Sequence, residues 1–195
     1  MLWKNSSYFD RLGRRIGILF SKFSLSPNQW TGLGLLFILI TFYFIINQSF
    51  LIATVLFAFT AFIDMIDGAV ARVTKRVTKL GGYLDRVIDR IVEFIIIFGL
   101  FLINYPDFII SIKIWLLFLL FGSFMSTYTR TAAFEKGILK DVKGGILEHT
   151  DRMIFLFLII LISIFSFEYA TYLIVITTIL ANVSTLQRFL KAVKR

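Results

Sequence analysis

"DMIDGAVARVTKRVTKLGGYLDRVIDR" occupies Asp64 to Arg90, and ten of its 27 residues are charged. Yet "FLIATVLFAFTAFI" (50–63) leads into it and "IVEFIIIFGLFLI" (91–103) leads out. Asp64 and Asp67 stand at i and i+3 at the end of one apolar stretch. Gly81, Asp85 and Asp89 stand at i, i+4 and i+8 at the start of the next. These spacings align side chains on one face of a helix. The intervening run 73–80 is short, so the two helices are expected to be antiparallel neighbours whose four aspartates converge.

Such a cluster is costly beside hydrocarbon. One ionised residue at the centre of a membrane helix costs ~2.5–3.5 kcal/mol on insertion scales, and like charges repel. A cation must hold the carboxylates. Arg86 and Arg90 are one source, which would make the cluster a salt-bridged knot joining two helices. A metal is the other: an all-oxygen set suits Mg²⁺, Mn²⁺ or Ca²⁺ rather than Zn²⁺. The basic loop and the small residues Gly68, Ala71 and Gly81 then point to a phosphate or pyrophosphate ligand approaching the backbone closely.

The rest of the chain fixes the class. It has 195 residues, is 58% hydrophobic, carries a net charge of +9 and contains no cysteine. Disulfides, thiolate nucleophiles and Cys-metal sites are therefore excluded. The apolar content points to an all-α integral membrane protein, a single membrane domain over 1–195. The positive charge then belongs to cytoplasmic loops and anionic lipid, not to nucleic acid. The N-terminus, with Lys4, Arg11, Arg14, Arg15 and Lys22, lacks a small-residue cleavage site and does not read as a signal peptide.

Residues 8–24 predict an amphipathic interfacial helix, with Phe9, Leu12, Ile16, Leu19, Phe20 and Phe23 at helical spacing. "SPN" (26–28) breaks the chain, and Asn28 is a candidate N-cap. Six apolar stretches follow, at about 29–47, 50–73, 81–104, 108–134, 147–167 and 170–190. Lys and Arg collect in the N-terminal arm, 72–79, 130–152 and 188–195, while the turns 46–50, 104–108 and 166–170 hold none. That alternation predicts six spans with both termini and the aspartates on the cytoplasmic side of the cell membrane.

The pattern Asp64-x-x-Asp67-Gly68-x-x-Ala71-Arg72, eight residues, Gly81-x-x-x-Asp85-x-x-x-Asp89 resembles the signature of the CDP-alcohol phosphotransferase family at every defined position. The six-span layout and the amphipathic start are similar too. The resemblance implies two divalent cations, Mg²⁺ or Mn²⁺, held by Asp64, Asp67 and Asp85, with Asp89 completing the second site and acting as base on the acceptor hydroxyl. It implies that Gly68, Ala71, Arg72 and Gly81, with Asp67, bind the CDP part, and that Asn28, Thr31 and Thr78 line the nucleotide pocket. It also implies a CDP-lipid donor, a small polar alcohol as acceptor, release of CMP, and a homodimer. No cysteine is present and the one histidine, His149, lies outside the signature, so direct displacement is favoured over a covalent intermediate.

A second polar run, "YTRTAAFEKGILKDVKGGILEHTDR" (128–152), bears on the acceptor. Arg130, Lys143 and Arg152 are candidate phosphate ligands, and Arg can bind phosphate through two parallel bonds. The arrangement resembles the branch that makes phosphatidylinositol phosphate and archaetidylinositol phosphate, so inositol phosphate is the expected acceptor. Glycerol 3-phosphate competes with it, and Lys136, Lys140 and Lys143 also suit an ordinary basic loop. Glu93 continues the Gly81–Asp85–Asp89 stripe and is expected to pair with Arg86 or Arg90. Two other classes stand against the enzyme: a divalent-cation transporter, which needs polar residues at mid-membrane depth, and a scaffold without ion dependence.

Overall fold

The computed structural model describes residues 7–23, 25, 27–138 and 145–194, and the side chains of 7–12, 27 and 28 are outside that description. Seven helices account for nearly all of it: α1 (Ser7–Phe20), α2 (Pro27–Ile46), α3 (Phe50–Val73), α4 (Lys79–Phe101), α5 (Ile112–Glu135), α6 (His149–Ile162) and α7 (Phe167–Val193). The described residues contain no strand beyond one bridge, Phe108 to Ile110. The helices fall where the apolar stretches predict them, with shifted ends. The fourth apolar stretch becomes α5, which starts at Ile112, where Oδ1 of Asp107 accepts from the Ile112 N–H at 2.9 Å. The fifth stretch becomes α6, which stops at Ile162, and α7 begins earlier than expected, at Phe167, where Ser166 Oγ accepts from the Tyr169 N–H.

Four helices, α2, α3, α5 and α7, are long and apolar enough to cross a membrane. α4 carries too many charges in its first half, and α6, at 14 residues, spans only ~21 Å. Threonines inside the apolar helices donate to their own i−4 carbonyls: Thr41 to Phe37, Thr54 to Phe50, Thr60 to Leu56. A hydroxyl so bonded can sit in hydrocarbon without an unsatisfied donor. The outward faces are apolar, as at Leu39, Val55, Phe118 and Phe189.

The chain divides into two compact units. The first comprises Met1–Thr41 and Val55–Val92. Its core is Trp30, Ile63, Ile66 and Val70, with Ile16 and Phe20 of α1 and Leu33 and Phe37 of α2 packed against it. The apolar stripe of α1 is thus partly spent on α2 and α3. Gly17 makes that possible: a Cβ there would lie 2.6 Å from the Ala69 carbonyl oxygen and 2.6 Å from Val73. α3 stops in a turn where the Arg76 N–H reaches the Ala71 carbonyl at 2.9 Å and the Lys75 N–H reaches that of Arg72, with Lys75 left-handed at φ 56°. This Schellman geometry satisfies the last carbonyls and reverses the chain in few residues.

The second unit comprises Phe42–Thr54 and Glu93–Arg195. Its backbone is a seam between α5 and α7. Thr178, Asn182, Thr185 and Arg188 of α7 donate to the carbonyls of Trp115, Phe118, Gly122 and Ser126 of α5, at 3.2, 3.0, 2.8 and 2.6 Å. Gly122 permits the approach, since a Cβ there would sit 2.9 Å from Asn182 Nδ2. Ser184 and Gln187 on the same helix bond the backbone of 146–147, which sets the start of α6.

Candidate active site

In the first unit, α3 and α4 bring Asp64, Asp67 and Asp85 together, with one carboxylate oxygen of each within 4.8 Å of the others. Asp67 is buried; Asp64 and Asp85 are exposed. Asp67 also feels the negative charge of both Asp85 and Asp89, which puts Asp89 in the same electrostatic neighbourhood. Thr31 of α2 donates to Oδ2 of Asp67 at 2.7 Å and orients it. A hard, all-oxygen donor set of this kind fits a divalent cation.

The flanking signature residues have local reasons for their identities. A Cβ at Gly68 would meet Nη1 of Arg72 at 3.3 Å, so the missing side chain lets that guanidinium fold back over the preceding turn. Thr78 caps α4, its Oγ1 accepting from the Gly81 N–H at 2.9 Å. A Cβ at Gly81 would lie 3.1 Å from that oxygen. Asn28 falls inside α2, one residue past its start at Pro27, so it does not hold the expected N-cap position; proline suits the first helical turn because it needs no N–H there.

Residues 24–184 match the CDP-alcohol phosphatidyltransferase family profile. The chain belongs to that family. The CDP-alcohol phosphatidyltransferase is accordingly a multi-pass membrane enzyme that moves a substituted phosphate from a CDP-alcohol to a hydroxyl and releases CMP, with Mg²⁺ or Mn²⁺ as cofactor. The transporter and scaffold readings fall away. The transferase is 33% identical over 181 residues, 93% of this chain and 90% of the relative, to archaetidylinositol phosphate synthase of Pyrococcus horikoshii. Its fold matches phosphatidylinositol phosphate synthase of Mycobacterium tuberculosis with CDP-DAG bound, with a TM-score of 0.81, 23% identity, and coverage of 93% of this chain and 94% of that one. The manganese and citrate complex of that synthase matches with a TM-score of 0.80, 22% identity and coverage of 92% and 88%.

The candidate acceptor residues of the transferase lie in the second unit and differ sharply in setting. Arg130 is exposed on the last turns of α5. Arg152 on α6 is 1% exposed, and Glu93 of α4 is fully buried against it. Arg152 donates from Nε to Oε1 of Glu93 at 2.7 Å and from Nη2 to Oε2 at 3.4 Å. Glu93, for which the sequence suggests Arg86 or Arg90, thus has a partner 59 residues away. Lys143 lies outside the described residues. Arg188, taken from the sequence as one of several C-terminal basic residues, is buried and closes the α5–α7 seam. Its signal was the polar stripe Thr178, Asn182, Thr185, Arg188 at helical spacing.

Proposed function

We propose that this transferase moves a phosphatidyl-type group from a CDP-lipid to a hydroxyl of inositol phosphate. The observation that carries the acceptor is the 33% identity to an archaetidylinositol phosphate synthase across 93% of the chain. A buried arginine in the polar segment that the sequence singles out supports it.

In this reading Asp64, Asp67 and Asp85 hold two divalent cations and Asp89 completes the second site; when bound, the cations supply positive charge that stabilises the pyrophosphate and the departing phosphate. Thr31 fixes Asp67. Gly68, Ala71, Arg72 and Gly81 receive the CDP group, with Asn28, Thr31 and Thr78 nearby in the pocket. Asp89 takes the proton of the attacking hydroxyl, the alcohol displaces CMP directly, and Arg130, Lys143 and Arg152 hold the acceptor's phosphate. The Lys and Arg asymmetry supports six spans with cytoplasmic termini, α4 and α6 completing the set, and α1 lying in the interface with Arg14, Arg15 and Ile18 outward. A homodimer of this single membrane domain is part of the same reading.

The experiment is CMP release by purified protein from CDP-archaeol or CDP-diacylglycerol, with Mg²⁺, Mn²⁺ or chelator, offering inositol phosphate, glycerol 3-phosphate, serine or free inositol. Inositol phosphate is expected to give the highest kcat/KM. A preference for glycerol 3-phosphate would keep the phosphate clamp and change the acceptor, and a preference for an unphosphorylated alcohol would discard the clamp.

A further inference from the structure

Arg152 has five N–H donors in a planar fork, which present two usable edges. Glu93 takes one of them, the Nε and Nη2 edge, at 2.7 and 3.4 Å. Nη1 is buried and has no hydrogen-bond partner among the described residues. An orphaned donor on a charged group is expensive when water cannot reach it, so a buried guanidinium with one edge occupied and the other unspent is poised for a ligand. The ion pair itself is costly to bury and is weak evidence for stability.

Glu93 is placed to do more than neutralise. It is fully buried, so its carboxylate has little room to move. His149, one turn before Arg152 on α6, brings Nδ1 to 3.5 Å from Oε2, which flanks the carboxylate on its second oxygen. An arginine gripped through Nε and Nη2 cannot rotate its fork, and the Nη1–Nη2 edge is held in one direction.

We infer that Glu93 is a positioning residue for the acceptor. It locks the Arg152 fork so that the Nη1–Nη2 edge is preset for two phosphate oxygens. This rests on the acceptor reading of Arg152 given above. It assigns a role to a residue outside the aspartate signature. Only orientation passes from Glu93 to the substrate, since its own charge opposes an anion.

The test is steady-state kinetics of the full-length protein in lipid nanodiscs, varying inositol phosphate at fixed CDP-lipid and then the reverse. The variants are Glu93→Gln, Glu93→Asp, Arg152→Gln and the double Glu93→Gln, Arg152→Gln. Glu93→Gln is expected to raise the KM for inositol phosphate roughly tenfold, the worth of one charge-assisted hydrogen bond, with the KM for CDP-lipid within about twofold of wild type. In the Arg152→Gln background the same change should add nothing further, because a residue that works through Arg152 has nothing left to orient. If Glu93→Gln does not fold, Glu93→Asp, which keeps the charge and shortens the reach, is read in its place, and the amide pair of the double variant removes the buried charges. Equal rises in both KM values, or additive effects in the double variant, would mean a merely structural ion pair and overturn the inference. An Arg152→Gln enzyme with wild-type acceptor KM would overturn the acceptor reading beneath it. A normal acceptor KM in both Glu93 variants beside a raised one in Arg152→Gln would overturn the role of Glu93 alone.

Discussion

Thr31 donates its hydroxyl hydrogen to Oδ2 of Asp67 at 2.7 Å and so fastens α2 to the buried member of the aspartate cluster. Thr31→Val keeps the shape and deletes the donor. Groups that orient metal ligands are worth about 10–100-fold in metal affinity or activity. The Mg²⁺ or Mn²⁺ concentration for half-maximal CMP release should therefore rise by about that factor, with Thr31→Ser close to wild type. A metal titration of activity decides it; an unchanged midpoint would remove the hydroxyl from the site.

Single Asp→Asn changes at 64, 67, 85 and 89 should each cut CMP release by about a thousandfold or more, as expected when charge that stabilises the transition state is lost. Each variant should still elute as a folded species in detergent. Two of the four retaining most of their activity would sink the site.

Gly17 tests the seating of α1. The Cβ of Gly17→Ala would stand 2.6 Å from a backbone oxygen of α3. Overpacking of this kind costs about 1–3 kcal/mol, or roughly 2–12 °C in Tm for a chain of this size. Gly13 has nothing within 4 Å of a built Cβ, so Gly13→Ala serves as the control and should not lower Tm. Equal melting of the two variants would mean that α1 does not press on α3 as described.

Arg130→Ala and Arg152→Ala should each raise the acceptor KM by about one to two powers of ten, one or two charge-assisted bonds' worth. Their melting curves should differ. Arg130 is exposed, and its loss should leave Tm nearly unchanged. Loss of Arg152 strands a buried carboxylate, and breaking a buried pair from one side costs about 3–5 kcal/mol. Comparable melting of the two would contradict the burial of the Glu93–Arg152 pair.

Reporter fusions at Lys4 and Arg195 address orientation. Both are expected to report the cytoplasmic side, from the Lys and Arg distribution. A signal from the outer side at either end would invert or break the six-span topology.

The helix positions and the aspartate cluster were legible because both rest on short-range rules: apolar run length, and spacings of three and four. The signature spans 26 positions, so one turn closes it. The partner of Glu93 was not legible, because it depends on which helices pack side by side, and hydrophobic patterning does not encode that. The stripe through Asp85 and Asp89 marked Glu93 as unusual, but the cations nearest in sequence, Arg86 and Arg90, gave no hint of Arg152. The seam of α7 was hidden for another reason. Thr and Asn in an apolar helix read as bonding their own backbone, and Thr178, Asn182 and Thr185 do so while also reaching α5.

That double engagement bears on how the protein is made. Thr178 donates to Ile174 and to Trp115, Asn182 to Thr178 and to Phe118, and Thr185 to Ala181 and to Gly122. Each of these side chains has a bond inside α7 that needs no neighbour. These three side chains can therefore enter the bilayer already bonded within α7, before α5 is met. On docking against α5, synthesised earlier, each threonine hydroxyl shares its one hydrogen between the two carbonyls and Asn182 has a second amide hydrogen to give, so insertion and assembly can proceed as separate events.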